Sequence, residues 1–194
     1  MKKFILVLLA LVAIAAIIQV WIMISSKKTE TQLYTVVKKY AGFEIRNYPA
    51  TTMATMASSA KTYKQLTNGF GKLAAYIFKG NATNTSISMT SPVHMDINDS
   101  MSSMSFVMPG KYNMQNLPKP TDGDIKLQTV PPEKIAAIRF GGFASQSKLE
   151  HYATELKNEL EANGIEYFGN FRYLGYNAPF ELLGRRNEVI VSVR

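Results

Sequence analysis

Residues 4–24 read FILVLLALVAIAAIIQVWIMI, and Gln19 is the one strongly polar position among them. At about 1.5 Å per residue such a helix spans roughly 30 Å, the thickness of a bilayer's hydrocarbon core. It has no polar face, so the reading as a buried core helix fits poorly. Trp21 lies near one end, where an indole suits the membrane interface. The pairs Lys2-Lys3 and Lys27-Lys28 close the two ends. The alternative is a cleaved signal peptide, but the run exceeds the usual apolar region and no small-x-small site precedes Ser25-Ser26-Lys27. The expectation is a short tail (residues 1–3), a retained transmembrane signal-anchor helix (4–24), a polar linker (25–33) and a domain (34–194). A basic tail ahead of a first helix favours the N-terminus inside. This places the domain on the extracytoplasmic side, which is the periplasm if the cell is bacterial.

The 34–194 segment has the length of one ordinary domain. The chain's net charge of +8 falls to +5 once the flanking lysines and Glu30 are set aside, leaving 18 basic and 13 acidic residues. Those basic residues are scattered rather than banded with aromatics, and no nucleic-acid motif is present, so no nucleic-acid partner is expected. Cysteine is absent, which excludes disulfides, thiolate metal sites and a cysteine nucleophile.

Period-2 stretches at residues 34–40, 43–48, 51–58, 87–97, 101–108, 125–130, 134–140, 171–176 and 188–193 predict strands. Pro92 argues for an edge or a bulge in its strand. Tyr63, Leu66, Phe70, Leu73, Ala74 and Ile77 have helical spacing, as do Leu149, Tyr152, Ala153, Leu156 and Leu160 over residues 146–163. Gly69 and Gly71 disfavour the first helix, which implies a close approach to its backbone. The order strand, helix, strand, strand occurs twice. Two such units commonly pair into one curved antiparallel sheet or open barrel, with both helices outside.

Particular segments resemble the SOUL heme-binding protein family. They are residues 34–48 (YTVVKKYAGFEIRNY), Gly80-Asn81 followed by residues 87–93 (ISMTSPV), residues 104–109 (MSFVMP) and 118–122 (PKPTD), Phe140-Gly141-Gly142-Phe143, and residues 184–189 (GRRNEV). They run in order across residues 34–194. The resemblance implies an α+β fold of duplicated β-α-β-β units forming a distorted antiparallel barrel with two flanking helices. It also implies non-covalent binding of heme or another tetrapyrrole in an apolar groove beside the first helix. The residues assigned to that groove are Leu66, Phe70, Leu73, Ala74 and Ile77, with Phe180 opposite. Animal members carry basic and methionine residues on this helix face, where Thr67, Phe70, Ala74 and Ala75 stand here, and Glu181 occupies an expected basic position. Lys64, Lys72, Arg185 and Arg186 are the cations available at the rim.

Other chemistry is thin. His94 and His151 are the only histidines, and either has the chemistry of an axial ligand. The pattern favours a hydrogen-bonded or solvated role for both. Met89, Met95, Met104 and Met108 suit either a soft pocket wall or ordinary core. No nucleophile elbow, phosphate loop or metal-ligand spacing occurs, so an enzyme is not expected. Residues 184–188 form either a turn with locally paired charges or a ligand-facing cluster. Asn81, Asn84 and Asn98 head N-glycosylation triplets, which recur by chance. The expected function is membrane-anchored binding of a tetrapyrrole or similar flat hydrophobic molecule. The alternative is a membrane-tethered protein-interaction module with no small ligand and an unnamed protein partner.

Overall fold

The computed structural model describes residues 2–26 and 29–194. Met1 and the pair Lys27-Lys28, which the sequence places at the ends of the apolar run, lie outside the described residues. Helix α1 (Lys2–Ser26) carries that run. Its stretch Lys3–Ile22 has a mean hydropathy of 3.0 and is not buried against the protein. By length and composition it is able to cross a membrane.

Part of the polar segment after α1 is ordered against the domain. Strand β1 (Glu30–Thr31) pairs in parallel with β5 (Thr90–Ser91). The Gln32 amide donates to the Ser91 carbonyl at 2.7 Å, and Gly110 N donates to the Glu30 carboxylate at 2.7 Å. Sequence pattern could not show this contact, because the strand is two residues long and polar.

The remaining strands are β2 (Thr35–Lys39), β3 (Phe43–Tyr48), β4 (Thr51–Ser58), β6 (Val93–Asp96), β7 (Ser102–Val107), β8 (Ile125–Val130), β9 (Glu133–Phe140), β10 (Tyr167–Gly175) and β11 (Asn187–Val193). They form one antiparallel sheet in the order β2-β3-β9-β11-β10-β6-β7-β4-β8. The expected duplication is visible in that order. One half contributes β4, β7 and β6, the other β9, β11 and β10, and the halves meet where β6 pairs with β10. Pro92, preceded by a cis peptide bond, separates β5 from β6. Strand β10 begins four residues earlier than predicted, because a register shift between Phe168 and Arg172 interrupts the alternation at Gly169 (φ 75°).

The barrel expectation needs correction: the sheet curls but does not close. The links β3–β4 (Pro49-Ala50) and β8–β9 (Pro131-Pro132) are each two residues long, yet each joins strands near opposite ends of the sheet order. Links that short bring the two ends near each other. Strands β2 and β8 remain the two edges. Lys38 and Lys39 on β2 put charge on one edge, a common defence against edge-to-edge pairing.

Both helical regions pack on the outer face. The first is split into α2 (Tyr63–Thr67) and α3 (Phe70–Ile77) at Asn68-Gly69, and Thr62 caps α2 by accepting from Gln65 N. The predicted close approach holds at Gly69, where a Cβ would lie 2.3 Å from Met56 Cε, whereas nothing lies within 4 Å of Gly71. At Gly80 a Cβ would meet the Ala75 carbonyl oxygen at 2.6 Å, so only glycine fits that turn. Helix α4 (Gln146–Ala162) is capped by Ser145 and ends at Gly164 (φ 64°), which takes the left-handed turn a side chain resists.

Candidate functional site

Strand register sorts the side chains of the sheet into two faces. Phe43, Ile138, Val189, Tyr173, Met95, Met104, Met56 and Ile125 form one continuous cross-strand row from β3 to β8. All are apolar or aromatic, and all are buried in the main core. The adjacent row reads Glu188, Leu174, His94, Ser105, Thr55 and Lys126. The helices cover the first face, and the second lines the hollow of the curl.

On the helix face, Leu66, Leu73 and Ile77 are sealed, at 0%, 0% and 1% exposure. Phe70 is half-buried against Phe106, with ring centroids 5.1 Å apart, and Ala74 is half-buried. Phe180 does not stand opposite this helix face in the core; it projects from the β10–β11 loop at 61% exposure. The six residues assigned from sequence therefore occupy three different environments.

An open crevice lies instead along the second long helix. Its volume is about 330 Å³, at the low end for a small-molecule site. Leu149 and Ala153 of α4 form one wall, Phe171 and Tyr173 of β10 the other, and Met95 and Ile97 the floor. Gln146 and Glu150, one turn apart, sit at the polar rim. Gln146 also accepts from the Tyr63 amide at 2.9 Å, joining the start of α2 to this rim. Of the four methionines singled out from sequence, Met95 lines this crevice, Met104 and Met108 are core, and Met89 packs against the core. The α4 stripe was legible, but nothing in its period marks which turn stands off from the sheet.

The hollow face holds a smaller cavity of about 230 Å³, lined by His94, Asp96, Gln128, Glu133 and Arg172 among others. That size suits water or a small polar molecule rather than a ring system. His94 Nε2 lies 2.7 Å from Gln32 Oε1. Burial, with help from the Arg172 charge, pushes the imidazole down to about 3, so it is neutral at ordinary pH. His151 is exposed on α4 beside Glu155 at 3.5 Å.

Residues 184–188 prove to be structural. Glu188, fully buried, accepts from Arg46 at 2.7 and 3.2 Å, from Arg186 at 2.7 and 3.0 Å, and from the Tyr176 hydroxyl at 2.9 Å. Burial alone would raise its pKa, but these donors, Arg46 foremost, hold it below the usual carboxylate range. Asn187 donates to the Gly142 carbonyl and accepts from Tyr173 Oη. Lys72 is likewise engaged, by Asp124 at 2.7 Å. Arg185 donates to the Ala178 and Glu181 carbonyls, so three of the four candidate rim cations are committed within the fold. Asn81 is also structural: it is 2% exposed and donates to the Tyr76 and Thr85 carbonyls.

Heme requires a flat apolar wall, compensation for two carboxylates and, for an axially ligated iron, a donor side chain. The α4 crevice supplies the wall. Its open rim leaves carboxylates in water. Arg185, whose charge reaches Tyr173 of the crevice wall, keeps a buried Nε with no hydrogen-bond partner among the described residues. Neither histidine faces the crevice. The lining suits contact with one face or edge of a tetrapyrrole ring, has Arg172 as its cation and offers no histidine to iron. Among the described residues, no group of three or more His, Asp or Glu is placed to hold a metal ion.

The chain is 29% identical over 156 residues to heme-binding protein 2 of Mus musculus and equally to that of Homo sapiens, covering 76% of this chain and 76% of each relative. The C-terminal domain of EcmrR superposes with a TM-score of 0.62 at 11% identity, covering 84% of this chain and 98% of that one, which is a likeness of fold alone. The model of the SOUL heme-binding protein family matches residues 29–192, from β1 to the last strand, and the chain belongs to that family.

Proposed function

We propose that this protein binds heme, another tetrapyrrole or a similar flat hydrophobic molecule without covalent attachment, in the crevice between α4 and β10. We further propose that α1 anchors it to a bilayer with the domain on the extracytoplasmic side. The carrying observation is an apolar crevice on the helix-covered face of a chain that belongs to a heme-binding family. Ring burial supplies affinity at about 25 cal/mol per Å² before the cost of association. Met95, with its polarizable and flexible side chain, lets the floor adapt to the guest. With no assembled acid, base and nucleophile in the crevice, the reading is a binding protein rather than an enzyme.

The test is a hemin titration of the full chain in lipid nanodiscs, read at the Soret band, alongside Ala153→Trp and Phe70→Asp. The shift should saturate at one equivalent, vanish in Ala153→Trp and survive in Phe70→Asp. Metal-free protoporphyrin should bind comparably, since no histidine contributes. A saturable shift that survives Ala153→Trp and is lost in Phe70→Asp moves the site to the first helix. No saturable shift in the parent chain overturns the ligand reading.

A further inference from the structure

Gln19, the only strongly polar residue in the apolar run of α1, is not alone in the structure. Its side-chain amide donates to the Phe180 carbonyl at 3.3 Å and its carbonyl accepts from Leu182 N at 3.2 Å. Both bonds reach the loop between β10 and β11. That loop is inverted relative to an ordinary water-facing loop. Its carboxylate, Glu181, is 5% exposed and accepts from Asn177 Nδ2 and Ala178 N. Its large apolar side chains Phe180, Leu182 and Leu183 are 61%, 54% and 61% exposed. Arg185 Nη1 fastens the inversion by donating to the Ala178 and Glu181 carbonyls. A contiguous exposed apolar cluster of this kind marks a surface that meets something other than water.

The position of the loop along α1 points to what it meets. Gln19 lies about 7.5 Å along the axis from Ile24, the end of the apolar run, and Trp21 between them is 68% exposed. Three residues separate Ser26 from Glu30, where β1 docks on β5, a reach over four Cα steps of at most about 14 Å. The body is thus held close to the end of α1, with its greasy loop beside the helix.

We propose that Phe180, Leu182 and Leu183 insert into the headgroup–acyl boundary of the bilayer, making a second membrane contact next to α1. The proposal rests on the anchor reading of α1 given above. It accounts for a polar residue in the apolar helix, since the Gln19 amide would otherwise lack partners in a lipid environment. It also gives Glu181 a role as the inner brace that turns its neighbours outward. An amphipathic surface seated in this way lies about 5–10 Å deep.

The absence of cysteine permits single-site labelling. The full chain, carrying Phe180→Cys, Leu182→Cys or Leu183→Cys, is reconstituted in vesicles of phosphatidylcholine and phosphatidylglycerol and labelled with an environment-sensitive fluorophore. Asn158→Cys, exposed on α4, is the reference. The loop labels should shift to the blue and be quenched by doxyl-labelled lipid, with Asn158→Cys unaffected. Carbonate extraction is run in parallel. A chain that resists extraction while its loop labels behave as in water overturns the loop contact and leaves the anchor standing. A chain released by carbonate overturns the anchor reading and the loop contact together.

Discussion

The two faces of the curled sheet are built from adjacent cross-strand rows and follow opposite rules. The row from Phe43 through Val189, Met95 and Met104 to Ile125 is apolar throughout and buried beneath helices. The row beside it is mixed, with Glu188, His94, Ser105 and Thr55 around the buried Leu174, and a small apolar cluster of Ile135, Ala137, Leu174 and Ile190 lies on the same face. On the apolar face, packing is general, and a crevice stands open along α4. On the polar face, the buried charges answer one another within the fold, Arg46 and Arg186 both closing on Glu188. The comparison shows that burial does not by itself mark a ligand site. The face with the most reactive side chains is the one whose chemistry is already spent.

The sharpest way to break this comparison is Glu188→Ala. Leaving the buried Arg46 and the half-buried Arg186 guanidinium groups without their shared carboxylate should cost about 3–5 kcal/mol, measured by urea denaturation at pH 7. The folded-state pKa of Glu188 is depressed, so its stabilisation is present above the unfolded value near 4.3 and is lost as pH falls below it. Glu188→Gln should remove that acid-side dependence. A cost under about 1 kcal/mol would show the network to be ornamental.

Leu156→Ala probes the other face. Leu156 is 0% exposed under α4, so a cavity cost of about 2–5 kcal/mol is expected, comparable with the ionic network. The distinction lies in pH: this loss should be the same at pH 7 and pH 4.

His94 gives a smaller effect. Its folded pKa lies below the unfolded 6.5, so the unfolded chain takes up the proton first and stability falls as pH drops below 6.5. Between pH 6.5 and 5 the ceiling is about 2 kcal/mol. The ring keeps part of its surface open to the hollow, so the measured drop should lie under that ceiling. His94→Asn should flatten the stability profile over this interval.

The smallest change in stability belongs to Ala153→Trp at the rim of the crevice, within about 0.5 kcal/mol. Together with the loss of hemin binding given above, that would separate the site from the scaffold. A large loss of stability would place Ala153 in the core instead.

Much of the fold was legible because alternation is local. β3, β4 and β8 have the predicted bounds, and α4 differs by one residue at its end. The duplication was also readable from element order. The glycine pair marked the region where the first helix splits but not the position, and the neighbour that crowds Gly69, Met56, lies on a distant strand. β1 was invisible because its pairing partner lies sixty residues away. The candidate site was the least legible part. Leu66, Leu73 and Ile77 are strongly periodic because they are core, and periodicity cannot distinguish a wall from a filling. Glu181 was noticed only as a substitution, whereas its place beneath three exposed apolar neighbours depends on the hydrogen bonds from Asn177 and Ala178 and on Arg185 across the loop.

Short-range pattern and motifs kept in register already carry the long apolar N-terminal segment, the alternation of strands and helices, their twofold arrangement and the family. Tertiary structure decided which apolar positions are sealed and which stand open, how the arginines of residues 184–188 are spent, and that the loop before β11 lies against α1. These depend on contacts between segments far apart in the chain, and no local period carries that information.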